Sequence, residues 1–288
     1  MEPLHWEDDL PELRSPVLVG AFAGWNDAAG VATSVVTTIA ESLGADLIAQ
    51  IDPEEFFDFQ ENRPTITLAE GQSREIEWPG NVLLAARSDE AERDLVLLVG
   101  TEPNLRWRTF CESLAEAAES LQVEMAVTLG ALVADVAHTM PVPVTGLASD
   151  EELVERLDLQ GSNYEGPVGI TAVVHDTLAQ RGIRAAGLWA AVPHYAAAVP
   201  SPKASLALLR RLELLIGVAV DAPELEEEAR SYEAQVSAAV AANPEIAEMV
   251  SRLEEEQSEA LDAGGAMPSG EALARDFEDY LRRHGDES

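Results

Sequence analysis

Short, nearly unbroken apolar runs alternate along much of the chain with longer stretches whose apolar residues recur every three or four positions. Residues 17 to 22, VLVGAF, fit a buried strand, and 28 to 43, AAGVATSVVTTIAESL, predict a helix stopped by Gly44. The same alternation returns at DLVLLVG (94 to 100) followed by LRWRTFCESLAEAAESL, at EMAVTLG (124 to 130), at PVPVTGL (141 to 147), and at AAGLWAAV (185 to 192) followed by ASLALLRRLELLIG. Strands this apolar, alternating with helices, predict an α/β fold. Its architecture is a three-layer αβα sandwich around a largely parallel or mixed sheet, because only a sheet covered on both faces buries such runs. The segments around DLIAQI, TITL, EIEW and NVLLAA have no helices between them and predict a meander or hairpin attached to the sheet.

The pattern changes after Gly217. PELEEEARSYEAQVSAAVAANPEIAEMVSRLEEEQ keeps helical spacing but has almost no strand formers, and Asn243-Pro244 divides it in the manner of an N-cap followed by a first helical residue. Three parts result: an α/β domain over 1–217, an antiparallel helical hairpin over 218–262, and a tail over 263–288. In the tail a Gly/Met/Pro linker precedes an amphipathic helix carrying Leu273, Phe277, Tyr280 and Leu281.

Charge and composition narrow the function classes. A formal net charge of −35 repels phosphodiester backbones and anionic membrane surfaces, so neither nucleic acid nor membrane is expected as a partner. No apolar run approaches the roughly 20 residues that span a bilayer, and MEPLHWEDDLPEL lacks the basic and apolar regions of a signal peptide. A cytoplasmic protein is therefore expected. Cys111 is the one cysteine, so disulfides and thiolate clusters are excluded, and its place on an amphipathic helix marks it as a buried structural thiol. Of the basic residues seventeen are Arg and one is Lys203.

The unusual polar and aromatic residues fall just after the predicted strands. These are Trp25, Asn26 and Asp27; Glu102, Arg106 and Arg108; Asp135 and His138; and His194 and Tyr195, leading to Lys203 at a helix start. The Gly- and Pro-punctuated GSNYEGPVG (161 to 169) adds Tyr164 and Glu165 ahead of another helix. Open α/β sheets bind ligands at the carboxyl ends of their strands, where helix amino termini present unpaired N–H groups, so these residues form a candidate pocket. Each also has a plainer reading: Asn26 or Asp27 as a helix N-cap, Trp25 as a packing lid, His138 and His194 as satisfied structural histidines. No metal-ligand spacing, GxGxxG, P-loop or GxSxG pattern is present, so no metal or cofactor is expected.

FAGWNDAAG, GTEPNLRWRTF, GSNYEGPVGI and WAAVPHYAAAVPSPKASLALL together resemble the actinobacterial branch of the proteasome assembly chaperone 2 family, over about Val17 to Gly217. The resemblance implies a phosphorylase/hydrolase-like three-layer α/β domain, homo-oligomeric, with a protein client or proteasome-related partner, and the C-terminal helices look like a variable extension of it. Archaeal relatives that bind proteasome rings end in hydrophobic-Tyr-any. This chain ends Asp286-Glu287-Ser288, so the resemblance does not carry that tail docking over. Two functions follow. One is a non-catalytic assembly-chaperone-like or interaction protein, which the lack of a recognisable nucleophile favours. The other is an enzyme or small-ligand binder of hydrolase, phosphorylase or ligase type, which the density of Trp, Arg, Glu, His and Tyr after the strands favours. The first is preferred.

Overall fold

The computed structural model describes residues 3–69, 73–88, 90–148 and 166–262. Ten strands and six helices lie within them. The strands are β1 (Leu4–Trp6), β2 (Val17–Ala23), β3 (Asp46–Ile51), β4 (Thr65–Ala69), β5 (Ser73–Glu77), β6 (Asn81–Ala86), β7 (Leu95–Thr101), β8 (Met125–Ala134), β9 (Val144–Ala148) and β10 (Arg184–Pro193). The helices are α1 (Val31–Leu43), α2 (Trp107–Ser120), α3 (Ile170–Gln180), α4 (Pro202–Ile216), α5 (Pro223–Ala241) and α6 (Pro244–Asp262).

Eight strands form one mixed sheet in the order β1-β3-β6-β7-β2-β8-β10-β9. The central four, β7, β2, β8 and β10, are mutually parallel. The flanking strands β6, β3 and β1 on one side and β9 on the other run antiparallel to their neighbours. β3 and β6 thus realise the predicted meander, while β4 and β5 form a separate two-stranded hairpin between them. That hairpin pairs Ile66 with Ile76 and leaves both exposed, beside Leu68 and Trp78.

The alternation of side chains divides the core into two layers. Val17, Val19 and Ala21 of β2 face α1 and α4, whereas Leu18 and Phe22 face α2 and α3. α1 buries Val31, Ala32, Val35, Val36 and Ile39 on one stripe and ends at Gly44, whose φ of 60° lets the chain turn out of the helix. On the other face Phe110 packs edge-on against Phe22 and Phe56, with centroids 5.9 and 5.4 Å away. Cys111 lies fully buried beside it, and burial pushes its thiol up to about 12, which fits a structural role. At the amino ends of the parallel strands Arg14 holds the buried Asp94 through its backbone N–H and its guanidinium.

Candidate functional site

β2 leads to α1 on one face of the sheet and the adjacent β7 leads to α2 on the opposite face. Neighbouring strands whose connections part in this way leave a crevice at their carboxyl ends, the topological switch point of an open α/β sheet. A cleft of about 500 Å³ opens there, lined by Gly24, Asn62, Thr101, Glu102, Asn104 and Trp107.

Glu102 joins three segments at this point. Its backbone N–H donates to Ala23 O at 2.9 Å. Its carboxylate accepts from Ile170 N at 2.7 Å and, more weakly, from Trp25 N at 3.4 Å. Gly169, at the N-cap position of α3, has no side chain to offer, so the Glu102 carboxylate occupies the amino end of that helix instead, with the sign its dipole prefers. Gly24 has φ +140°, and a Cβ there would sit 3.1 Å from Glu102 Cβ, so the strand exit needs both the backbone freedom and the space of glycine.

Asn26 and Asp27 are buried. Asn26 O accepts from Ala131 N at 2.8 Å, while Asn26 Oδ1 has no hydrogen-bond partner and lies where a Cβ on Gly169 would be, 1.8 Å away. Asp27 Oδ1 accepts from Ala32 N at 2.6 Å and Thr33 N at 3.4 Å, and Oδ2 accepts from Thr33 Oγ1. Asp27 thereby does the hydrogen bonding of an N-cap for α1 from four residues ahead, across Ala29 and Gly30, which both have positive φ. Burial raises its pKa above 3.8 despite those three hydrogen bonds. Trp25 stands half-exposed at the rim. Arg106, left-handed at the amino end of α2, pairs with Glu55, and Arg108 is exposed two residues further on. Trp107 Nε1 donates to Pro103 O and ties down the turn between β7 and α2.

The β8 and β10 ends are built differently. Tyr195 Oη accepts from His138 N at 2.8 Å and lies 2.9 Å from His138 Nδ1, while His138 Nε2 lies 3.0 Å from Ser237 Oγ. Lys203 Nζ donates to His138 O at 2.5 Å and to Glu233 Oε2 at 2.6 Å. Ala137 N donates to Gln257 Oε1 and Thr139 Oγ1 to Glu254 Oε1. Glu233 and Ser237 belong to α5, and Glu254 and Gln257 to α6, so this network fastens the helical hairpin onto the sheet edge. Burial, and then the Lys203 charge, hold His138 below the usual histidine range. Burial pushes the Tyr195 phenol up to about 12. His194 Nδ1 comes within 3.0 Å of Asp135 Oδ1 without hydrogen-bond alignment.

The residues singled out by sequence therefore divide. Of these only Glu102 lines the β2/β7 crevice, where it accepts from Trp25 N; Asn26 and Asp27 lie on the β8 side, against Ala131, and Arg106 and Arg108 belong to the amino end of α2, outside the cleft lining. His194, Tyr195 and Lys203 sit at the β8/β10 end, where Tyr195 and Lys203 help hold the hairpin. Tyr164 and Glu165 lie outside the described residues. Sequence reasoning missed Asn62 and Asn104 in the cleft, which look like ordinary turn residues. It also missed the polar stripe Glu233/Ser237, whose spacing of four was the available signal.

A family model described as the PAC2 family matches residues 21–240. The chain belongs to the PAC2 family. It is similar to a PAC2 family protein from Streptomyces avermitilis at 45% identity and TM-score 0.76, covering 82% of this chain and 99% of that one. It is also similar to a proteasome-assembly chaperone homologue of Mycobacterium tuberculosis at 43% identity and TM-score 0.75, covering 81% and 99%. A second M. tuberculosis structure, of unknown function, matches at 27% identity and TM-score 0.85 over 98% of this chain and 96% of that chain. None of the curated proteins matches. The PAC2 match takes in the carboxyl ends of β2, β7, β8 and β10 and runs to the last turn of α5. Among the described residues no group of three His, Cys, Asp or Glu is placed to hold a metal ion, and no helix is long and apolar enough to cross a membrane.

Proposed function

We propose that this PAC2 family member is a non-catalytic, assembly-chaperone-like protein, a cytoplasmic homo-oligomer whose partner is a proteasome-related protein. One observation carries the reading: five of the polar side chains at the strand ends, Asp27, Glu102, His138, Tyr195 and Lys203, are engaged in holding the fold's own parts. Asp27 caps α1, Glu102 caps α3, and Lys203, His138 and Tyr195 fasten α5 and α6. An active site would instead hold such groups toward a reacting atom. The similarity to a proteasome-assembly chaperone homologue supports the choice of partner. In this reading the α/β unit (1–217) carries self-association and presents a partner surface at its strand ends, the hairpin (218–262) contacts the client, and the tail (263–288) adjusts association.

Light scattering across micromolar concentrations tests it, together with the assembly rate of purified proteasome subunits with and without the protein. The expected results are a mass several times the 30.9 kDa chain and a change in assembly rate. A monomer that leaves assembly unchanged would overturn it. The open cleft at β2/β7 favours a second reading, an enzyme or small-ligand binder of hydrolase, phosphorylase or ligase type. A thermal-shift screen against phosphate, nucleotides and amino acids separates the two, because a ligand at one hundred times its dissociation constant stabilises the fold by about 2.7 kcal/mol.

A further inference from the structure

We propose that the β2/β7 cleft is a receptor for one basic side chain, arginine or lysine, on an extended segment of the partner polypeptide, with Glu102 as its counter-ion. This rests on the reading that the protein works by binding another protein, and adds the chemistry by which it recognises that partner.

Size comes first. A volume of about 500 Å³, broadly open to solvent, has room for a long side chain with the backbone on either side of it. Hydrogen-bond capacity comes second. A carboxylate offers about four acceptor sites, and Glu102 spends one well on Ile170 N and one poorly on Trp25 N. Asn81 sits behind the cleft wall: its Nδ2 donates to Thr101 O, while its buried Oδ1 has no partner. Asn26 Oδ1, close to Glu102 Oε1 around Gly169, is likewise buried without a partner. Neither amide lines the cleft, so the acceptor capacity open to an occupant is that of Glu102, and the group that complements it brings N–H donors. Third, Trp107 lines the cleft with its indole held by Pro103 O, offering a flat ring against which an alkyl stem or a cation packs.

The amino ends of α2 and α3 each carry about half a positive charge and offset Glu102 locally. That leaves discrimination to the spare acceptor sites of Glu102 and to the field of the whole molecule, which at −35 draws basic segments and repels acidic ones. Arg106 does not compete for Glu102, since its guanidinium is paired with Glu55.

The test is calorimetric titration with acetylated, amidated tripeptides carrying a central Arg, Lys, citrulline or Glu between glycines. Variants are Glu102→Gln, which keeps an acceptor for Ile170 N, and Glu116→Gln, an exposed α2 position that gives the same net charge. Asn62→Trp fills the cleft from its rim and carries the test if Glu102→Gln melts abnormally. The expected result is binding of the Arg and Lys peptides only, weakened about ten-fold or more by Glu102→Gln, abolished by Asn62→Trp and unchanged by Glu116→Gln. Equal losses in Glu102→Gln and Glu116→Gln, equal binding of citrulline, or no binding at millimolar peptide would each overturn the proposal. Oligomer mass and subunit assembly are measured on the same variants. If those persist without peptide binding, the cleft proposal alone fails; if peptides bind but no partner responds, the assembly reading fails and the cleft proposal stands.

Discussion

Asp27 is held at a cost by the fold it helps to start. Its folded pKa is raised by burial, so as pH rises from 3.8 through the folded value the unfolded chain loses its proton first and stability falls. Asp27→Asn keeps an acceptor for Ala32 N and never ionises, and is expected to melt no lower than wild type at neutral pH. Asp27→Ala loses the cap and is expected to cost about 1 kcal/mol in chemical denaturation. His138 works in the opposite sense with pH. Its folded pKa lies below 6.5, with Lys203, Glu233 and Glu254 as its charged neighbours. On acidification below 6.5 the unfolded chain takes up the proton first, and stability is lost until the folded value is reached. Thermal melts from about pH 7.5 to about pH 5.5 should show a drop in wild type that is smaller in His138→Gln.

At the scale of elements, the network between the β8 and β10 ends and α5/α6 makes the hairpin's docking depend on one compact cation. Lys203 Nζ serves two acceptors from separate elements, His138 O and Glu233 Oε2. The planar fork of Arg cannot place one atom between them. Lys203→Arg is therefore expected to loosen α5 and α6 by about 1 kcal/mol, a value reduced by the exposure of Glu233, and hydrogen exchange over 223 to 262 would record it. Much of this architecture was legible in the sequence. The strand at 17 to 22, the helix ending at Gly44 and the helix break at Asn243-Pro244 were set by local pattern and match the structure closely. Strand direction was not legible for β6 and β9, because an apolar run reads the same parallel or antiparallel. The candidate site was half legible. Glu102 was visible as a polar residue after a strand, but its partner is the backbone N–H of Ile170, which no residue type announces. Lys203 was visible as the lone lysine, yet the carboxylate that holds it comes from a helix 30 residues on.

For the molecule as a whole, the charge of −35 sets the terms of association. If copies of the chain assemble as proposed, each brings the same negative field, and salt should strengthen their contact. Raising ionic strength from about 0.1 M to about 1 M shortens the Debye length from about 10 to about 3 Å. Sedimentation should then show a smaller dissociation constant for the oligomer, while the Arg-peptide affinity of the cleft should fall under the same change. An oligomer that loosens with salt would point to opposite-charge contacts instead.

The three-way junction at Glu102 also bears on how the chain reaches this fold. Its two side-chain bonds span 77 and 68 residues, and neither can form until β2, β7 and the start of α3 are side by side. Closing loops of that length comes late, so substitutions at Glu102 should leave the refolding rate nearly unchanged and act on the unfolding rate. In a chevron plot the refolding arm of Glu102→Ala should overlay that of wild type while the unfolding arm rises. The cleft would then be the last part of the molecule to come into being, and the first to open.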